Sequence, residues 1–265
     1  MSISAWTVLR GGGWLRMGKL AFFQELLAAL EEQRPAVAAT VVKVEGEVPG
    51  MAVGSHFLWM PDGRYEGPGA AVLEETLGEV APGVLAGHRP RLETVKVKGG
   101  NITLFLEPVL PEPRILILGG GHVGQQVAAA AKLVGYRVTV VDDRPDFANK
   151  ALFPAADRII CAPFTTALQE IEINPSTFIV IVTRGHRYDY ECLRAVIQAP
   201  AAYIGMIGSR RRVQGVRERL LEEGVDPQAL ARVHAPIGLD IGAETPAEIA
   251  ISILAEIIRV YRRGV

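Results

Sequence analysis

Three stretches of the chain place residues able to hold an anion at the ends of apolar runs. The first is Gly119-Gly120-Gly121-His122-Val123-Gly124. It follows the run Arg-Ile-Leu-Ile-Leu and precedes a helical pattern over residues 123–134, which reads as strand, turn and helix. In that setting Gly119 permits the tight turn. Gly121 lets the backbone approach a diphosphate, and Gly124 lets the helix pack against the strand. The helix start at His122 and Val123 turns unpaired amides and the positive dipole end towards an anion. His122 either touches a ligand phosphate or caps the helix start. Asp142 closes the second strand-like run, 18 residues after Gly124, where a carboxylate accepts from ribose hydroxyls. Arg144 is placed to tolerate a 2′-phosphate, so NAD and NADP both stay open. The plain alternative is a nucleotide-binding fold that keeps its glycines for packing alone.

The second stretch is Thr183-Arg184-Gly185-His186-Arg187-Tyr188-Asp189. Arg184, His186 and Arg187 suit an anionic group, with Asp189 either orienting the imidazole or capping the next helix. The third is Gly208-Ser209-Arg210-Arg211-Arg212. Ser209 can cap a helix or donate to an anion, and guanidiniums match phosphate and carboxylate. Three adjacent arginines cannot all face one ligand on a helix, and Arg210 is the one assigned to it. A glycine-punctuated loop follows at residues 234–245, where Asp240 and Glu244 could meet a ligand or partner, or serve only the turns. Cys161 ends a strand near the same edge and reads as a buried inert thiol, with a sulfur-handling role as the alternative, and Cys192 reads as helical core. His56 and His88 have no companions at metal-ligand spacing. No Ser-His-Asp or paired-carboxylate arrangement is legible.

The elements that must position these residues alternate. Strands are expected at 115–118, 137–141, 158–161, 178–182 and 203–206, with helices between most of them. Short continuous apolar strands suit a parallel sheet buried on both faces. The class is therefore α/β, with a C-terminal Rossmann-like, doubly wound parallel sheet. A closing helix begins after Thr245, with Pro246 at its first position and Glu248 completing a capping box. Its face of Ile249, Ile253, Leu254, Ile257 and Ile258 is structural and is also suited to a homodimer interface.

Residues 108–113 hold three prolines and mark a boundary. Before it, a smaller α+β domain over residues 19–110 is expected. It has a helix at 19–33, strands at 36–44 and 55–60, turns at Pro61-Asp62-Gly63 and Gly67-Pro68-Gly69, and a helix from 70 to about 80. Two strands, 92–97 and 101–106, flank Lys98-Gly99-Gly100. Residues 1–18 read as a leader without fixed structure, with Met17 as an alternative start, or as an interaction arm anchored by Trp6 and Trp14. The Rossmann-like domain takes residues 111–265.

The net charge is −1, so no basic field draws the chain to nucleic acid or an anionic membrane. No apolar run approaches the roughly 18 residues of a spanning helix. Two cysteines exclude a disulfide framework and a four-thiolate zinc site, and fit a reducing cytoplasm.

The second half resembles the XdhC/CoxI family, accessory proteins of xanthine dehydrogenase and related molybdenum hydroxylases. The resemblance rests on the Gly119–Gly124 loop, Val-Val-Asp142-Asp-Arg144 and Thr183-Arg-Gly-His186. It also rests on Tyr203-Ile-Gly-Met-Ile-Gly-Ser-Arg210-Arg and on Pro236-Ile-Gly-Leu-Asp-Ile-Gly-Ala-Glu244-Thr-Pro-Ala-Glu-Ile-Ala. It implies a maturation chaperone rather than a turnover enzyme. Such a protein binds the molybdenum cofactor (molybdopterin or its dinucleotide form), supports its sulfuration by a cysteine desulfurase and delivers it to an apo-hydroxylase. The first half is similar more loosely, through Ala39-Thr-Val-Val, Asp62-Gly63 and Leu106-Glu107-Pro108. It lacks the family's usual cysteines: the stretch after the Asp-Gly turn reads Gly67-Pro68-Gly69-Ala70-Ala71-Val72-Leu73-Glu74, and Lys98-Gly99-Gly100 stands for Cys-Gly-Gly. Two other classes stay open. One is an NAD(P)-dependent oxidoreductase, favoured by the Asp142 fingerprint. The other is a nucleotide-sensing regulatory module, favoured by the missing cysteines.

Overall fold

In the computed structural model, residues 13–61, 65–66 and 70–263 are described. The chain divides into two compact units, one ending at Pro111 and one running from Glu112 to Arg263.

The first unit holds α1 (Gly13–Glu31), β1 (Ala36–Gly46), β2 (His56–Trp59), β3 (Tyr65–Glu66), α2 (Ala70–Gly87), β4 (Arg91–Val97) and β5 (Gly100–Val109). Its antiparallel sheet has the order β3-β2-β1-β5-β4. Alternate residues of β1 point to opposite faces. Val37, Ala39 and Val41 join Leu73, Leu77, Ala81 and Val84 of α2 in one core. Ala36 and Ala38 join Phe22 of α1, Leu58 and Met60 in another.

Two boundaries differ from expectation. The α1 backbone begins at Gly13, six residues before the apolar periodicity starts, because a helix once nucleated propagates at one hydrogen bond per added residue. Part of the expected leader is thus helical, and residues 1–12 lie outside the described residues. α2 continues past Pro82 to Gly87, where buried Ala81 and Val84 tie its last turns to the sheet. The expected turns at 61–63 and 67–69 fall largely outside the described residues. Lys98 sits exposed in the hairpin between β4 and β5.

The second unit holds β6 (Arg114–Leu118), α3 (His122–Leu133), β7 (Arg137–Asp142), β8 (Arg158–Cys161), α4 (Phe164–Gln169), β9 (Thr177–Ile181), α5 (His186–Val196), β10 (Tyr203–Met206), α6 (Arg210–Glu222), α7 (Pro227–Ala231), β11 (Val233–His234) and α8 (Pro246–Arg263). All six strands pair in parallel, in the order β11-β10-β9-β6-β7-β8. This is the doubly wound order, with its switch point between β6 and β9, where ligands of such sheets bind. β11 went unread in the sequence because two residues carry no periodicity. The central strands are apolar throughout because helices cover both faces. α3 and α8 pack on one face through Val127, Ala131, Ile253 and Ile257. α4, α5 and α6 pack on the other through Phe164, Leu193 and Val216. Most of the apolar stripe of α8 therefore faces the sheet. Its capping box forms as the sequence indicates: the Thr245 amide donates to Glu248 at 2.9 Å, and the Glu248 amide to the Thr245 hydroxyl at 3.3 Å.

Candidate anion-binding site

The bend after β6 is wedged between the exits of its two neighbour strands. The Gly119 amide donates to the Val141 carbonyl at 2.9 Å. With φ at +120°, this residue adopts backbone that side chains disfavour, and a Cβ there would strike the Val182 carbonyl. A Cβ on Gly120 would strike the Phe147 carbonyl, and one on Gly124 the Gly119 carbonyl. Gly121 differs. A Cβ at that position meets nothing within 4 Å. Gly121 is also the N-cap of α3, and no side chain caps that helix. The first-turn amides of a helix have no partner within it, so here they face an open approach. His122, the first residue of α3, is exposed and does not cap it. Val123 is half-buried and packs with the α3–α8 core, leaving its backbone for the bend.

Asp142 ends β7 beside the bend, as the sequence indicates, with its carboxylate turned inward. The residue is 1% exposed. One carboxylate oxygen accepts from the Gly120 amide at 2.8 Å and from Arg144 Nη2 at 3.0 Å. The other accepts from the Arg144 amide at 3.1 Å and from Arg144 Nε at 2.9 Å. Burial alone would raise its pKa, but the bonds from Arg144 and Gly120 outweigh burial and hold it below the usual carboxylate range. In this arrangement Asp142 clamps the bend, and both of its oxygens are engaged by Gly120 and Arg144. Arg144 is correspondingly not available to a 2′-phosphate as it stands: it neutralises Asp142 and stacks on Phe147, 3.7 Å from the ring centroid. A carboxylate at the end of a strand is the same letter in both roles, and only its depth distinguishes them.

Across the switch point, α5 also begins on an uncapped glycine, Gly185. Arg184 precedes it and forms a two-pronged pair with Asp143, both bonds at 3.0 Å, and donates to the Tyr188 hydroxyl at 2.8 Å. Tyr188 first, then Asp143, keep this guanidinium more firmly charged than an ordinary arginine. His186 is the first residue of α5, and its side chain lies outside the described residues. Asp189 is not the cap of α5 and is fully buried. It accepts from the Thr183 hydroxyl at 2.5 Å and pairs with Arg212 of α6.

The arginine run divides by helix geometry. Ser209 caps α6, accepting from the Arg212 amide at 3.3 Å. Arg212 turns inward to Asp189. Arg210 is exposed at the first helical position, whereas Arg211 and Arg212 line a cavity between α5 and α6. The structure therefore brings together Gly119, Gly121, Gly124, the amides of His122 and Val123, and Arg184 around the switch point, and sets Ser209 and Arg210 one strand further along. Asp240 and Glu244 are exposed on the loop before α8. Cys161 is exposed rather than buried, because β8 is the edge strand of the sheet, and Cys192 is buried, where burial pushes its thiol pKa up. Among the described residues, no three His, Cys, Asp or Glu side chains form a metal-binding group. No described helix is long and apolar enough to cross a membrane.

Two functional elements escaped the sequence. Asp143 stands inside the Val-Val-Asp142-Asp-Arg144 motif, but its pairing with Arg184 shows only in the fold. Glu256 does carry a signal, as a carboxylate on the apolar face of α8. It is buried, accepting from the Tyr203 hydroxyl at 2.6 Å and the Gly238 amide at 2.9 Å, with His234 Nδ1 at 3.5 Å. It anchors the loop that runs from β11 to α8.

Comparisons with known proteins agree with this architecture. Residues 115–257 match the XdhC Rossmann domain, and residues 29–96 match the XdhC and CoxI family. An Escherichia coli protein, YqeB, is 35% identical over 88% of this chain and 45% of its own length. A Bacillus subtilis protein, named as a probable xanthine dehydrogenase component, is 29% identical over 84% of this chain and 61% of its own. The molybdenum cofactor insertion chaperone PaoD of Escherichia coli is 25% identical over 64% of this chain and 46% of its own. The chain thus spans about half the length of these relatives. A crystal structure of a Bacillus halodurans protein, named as a xanthine dehydrogenase, shares the fold, with a TM-score of 0.52 at 24% identity over 91% of this chain and 96% of that one. With both halves matched and the switch-point architecture in place, the chain belongs to the XdhC and CoxI family.

Proposed function

We propose that this chain is a maturation chaperone of molybdenum hydroxylases, holding the phosphate-bearing end of the molybdenum cofactor at the glycine bend after β6. The observation that carries this reading is the open face of Gly121 beneath the uncapped start of α3. Amides and dipole there suit a phosphate group. Arg184, once released from Asp143, adds a guanidinium from the opposite wall. Family membership and the insertion chaperone among the relatives support a role in cofactor maturation. In this reading the recipient is an apo-hydroxylase, and a cysteine desulfurase supplies sulfur to the held cofactor.

The test is native mass spectrometry of the chain mixed with purified molybdenum cofactor, beside a fluorescence titration with NADH. A cofactor adduct that disappears in Gly121→Val is expected. NADH binding without a cofactor adduct would overturn the reading in favour of an NAD(P)-dependent oxidoreductase. That alternative is weakened by the commitment of both Asp142 oxygens to Gly120 and Arg144.

A further inference from the structure

On the face of the sheet away from α3, a cavity of about 670 Å³ lies between α5 and α6. Tyr190 and Val216, both nearly buried, are among its lining. The charged side chains around it are Arg187, Arg211, Arg212 and Arg219. Three of these are already engaged. Arg187 pairs with Glu191 at 2.8 Å. Arg219 stacks 3.8 Å above the Tyr190 ring and reaches Glu223 at 3.6 Å. Arg212 pairs with buried Asp189, yet its Nε is buried without an acceptor. The Arg211 side chain makes no hydrogen bond or ion pair among the described residues.

Two further features belong to this cavity. Gly215 lies inside α6, where glycine costs roughly 1 kcal/mol against alanine. A Cβ there would meet nothing within 4 Å, so packing does not demand the glycine. It leaves room in the cavity wall instead. The Ser209 hydroxyl already accepts from the Arg212 amide, and its own proton is left to donate.

We propose that this cavity is a second anion site, separate from the glycine bend, taking the phosphate or diphosphate end of a small soluble molecule. Its size falls within the range of small-molecule sites. A guanidinium fork matches phosphate oxygens better than any other side chain does. Arg211 supplies the uncommitted charge and Ser209 a hydroxyl. The proposal does not rest on the maturation reading, because none of the residues lining the cavity belongs to the glycine bend.

The experiment is isothermal titration of the full chain with inorganic pyrophosphate, using Gly215→Leu, Arg211→Ala and Gly121→Val. Leucine favours the helix and fills the open wall, so α6 should hold while the cavity closes. Arg211 is exposed, and its loss leaves the fold alone. With Gly121→Val as the background, which silences the bend, pyrophosphate binding should persist, vanish when Gly215→Leu is added and weaken at least tenfold when Arg211→Ala is added. Circular dichroism checks that each variant is folded. Binding that survives Gly215→Leu unchanged overturns the proposal. So does binding already lost in Gly121→Val alone, which assigns it to the bend. Absence of pyrophosphate binding at millimolar concentration, or capture of a poly-glutamate peptide in its place, overturns it equally.

Discussion

Arg184 and Asp143 close a two-pronged ion pair across the carboxyl end of β6, one residue lying beyond β9 and the other just beyond β7. Any ligand extended along the sheet edge over the glycine bend meets this pair. The carboxylate and a ligand phosphate then compete for one guanidinium. Asp143→Asn should free Arg184 and raise affinity several-fold, about 1 kcal/mol on the scale of a charge-assisted bond. Arg184→Ala should lower it by a similar amount. Titration with the molybdenum cofactor, or with NADH if that is what binds, measures both. Unchanged affinity in the two variants would take the pair off the ligand path.

Neighbouring glycines of the bend should respond in opposite ways. At Gly120 a methyl group strikes the Phe147 carbonyl, which cannot yield without moving the backbone. Gly120→Ala should therefore destabilise the chain by about 2–4 kcal/mol. Gly121→Val points into open space from extended backbone that a β-branched residue tolerates. It should cost no more than about 1 kcal/mol, because valine is a poorer N-cap than glycine but meets no clash, while abolishing ligand binding. Urea midpoints give the first quantity and titration the second. Equal destabilisation by both would mean that Gly121 is packed.

The Glu256 carboxylate should set part of the acid stability. Burial opposes its charge, but His234, Tyr203 and the Gly238 amide overcome that and bring its pKa down to about 2, from 4.5 for the free side chain. A lowered pKa means that the charged form favours the fold. Its contribution is complete above about pH 4.5 and is lost as the pH falls towards 2. A shift of this size corresponds to about 3 kcal/mol. Glu256→Gln should lower stability by that order at pH 7, and the gap to the parent should close near pH 2. Denaturant titrations between those limits test it, and a gap independent of pH would contradict a role for the charge.

The doubly wound unit was legible because its strands are buried on both faces and read as continuous apolar runs. The bend was legible too, since each glycine answers a different local demand. The fate of the charged residues was not. Asp142 and Arg144 look available in one dimension and satisfy each other in three. Asp189 stands close to a helix start, yet the cap is Gly185, and Asp189 ties Thr183 to Arg212 instead. Arg210, Arg211 and Arg212 are indistinguishable in composition, and only the helical turn between them decides which faces the cavity. Pairing partners such as Asp143 lie 41 residues from the group they bind, beyond the reach of any spacing rule.

Two helices in this unit, α3 and α5, begin on bare glycine. Such a start leaves a site whose occupation is recorded as resistance to heat. A guest present at a hundred times its dissociation constant adds roughly 2.7 kcal/mol to the folded state. The empty chain should therefore melt earlier than the loaded one, and its melting point should climb with ligand concentration. If the cargo is handed on, the donor returns to its more fragile form, ready to be steadied by the next load.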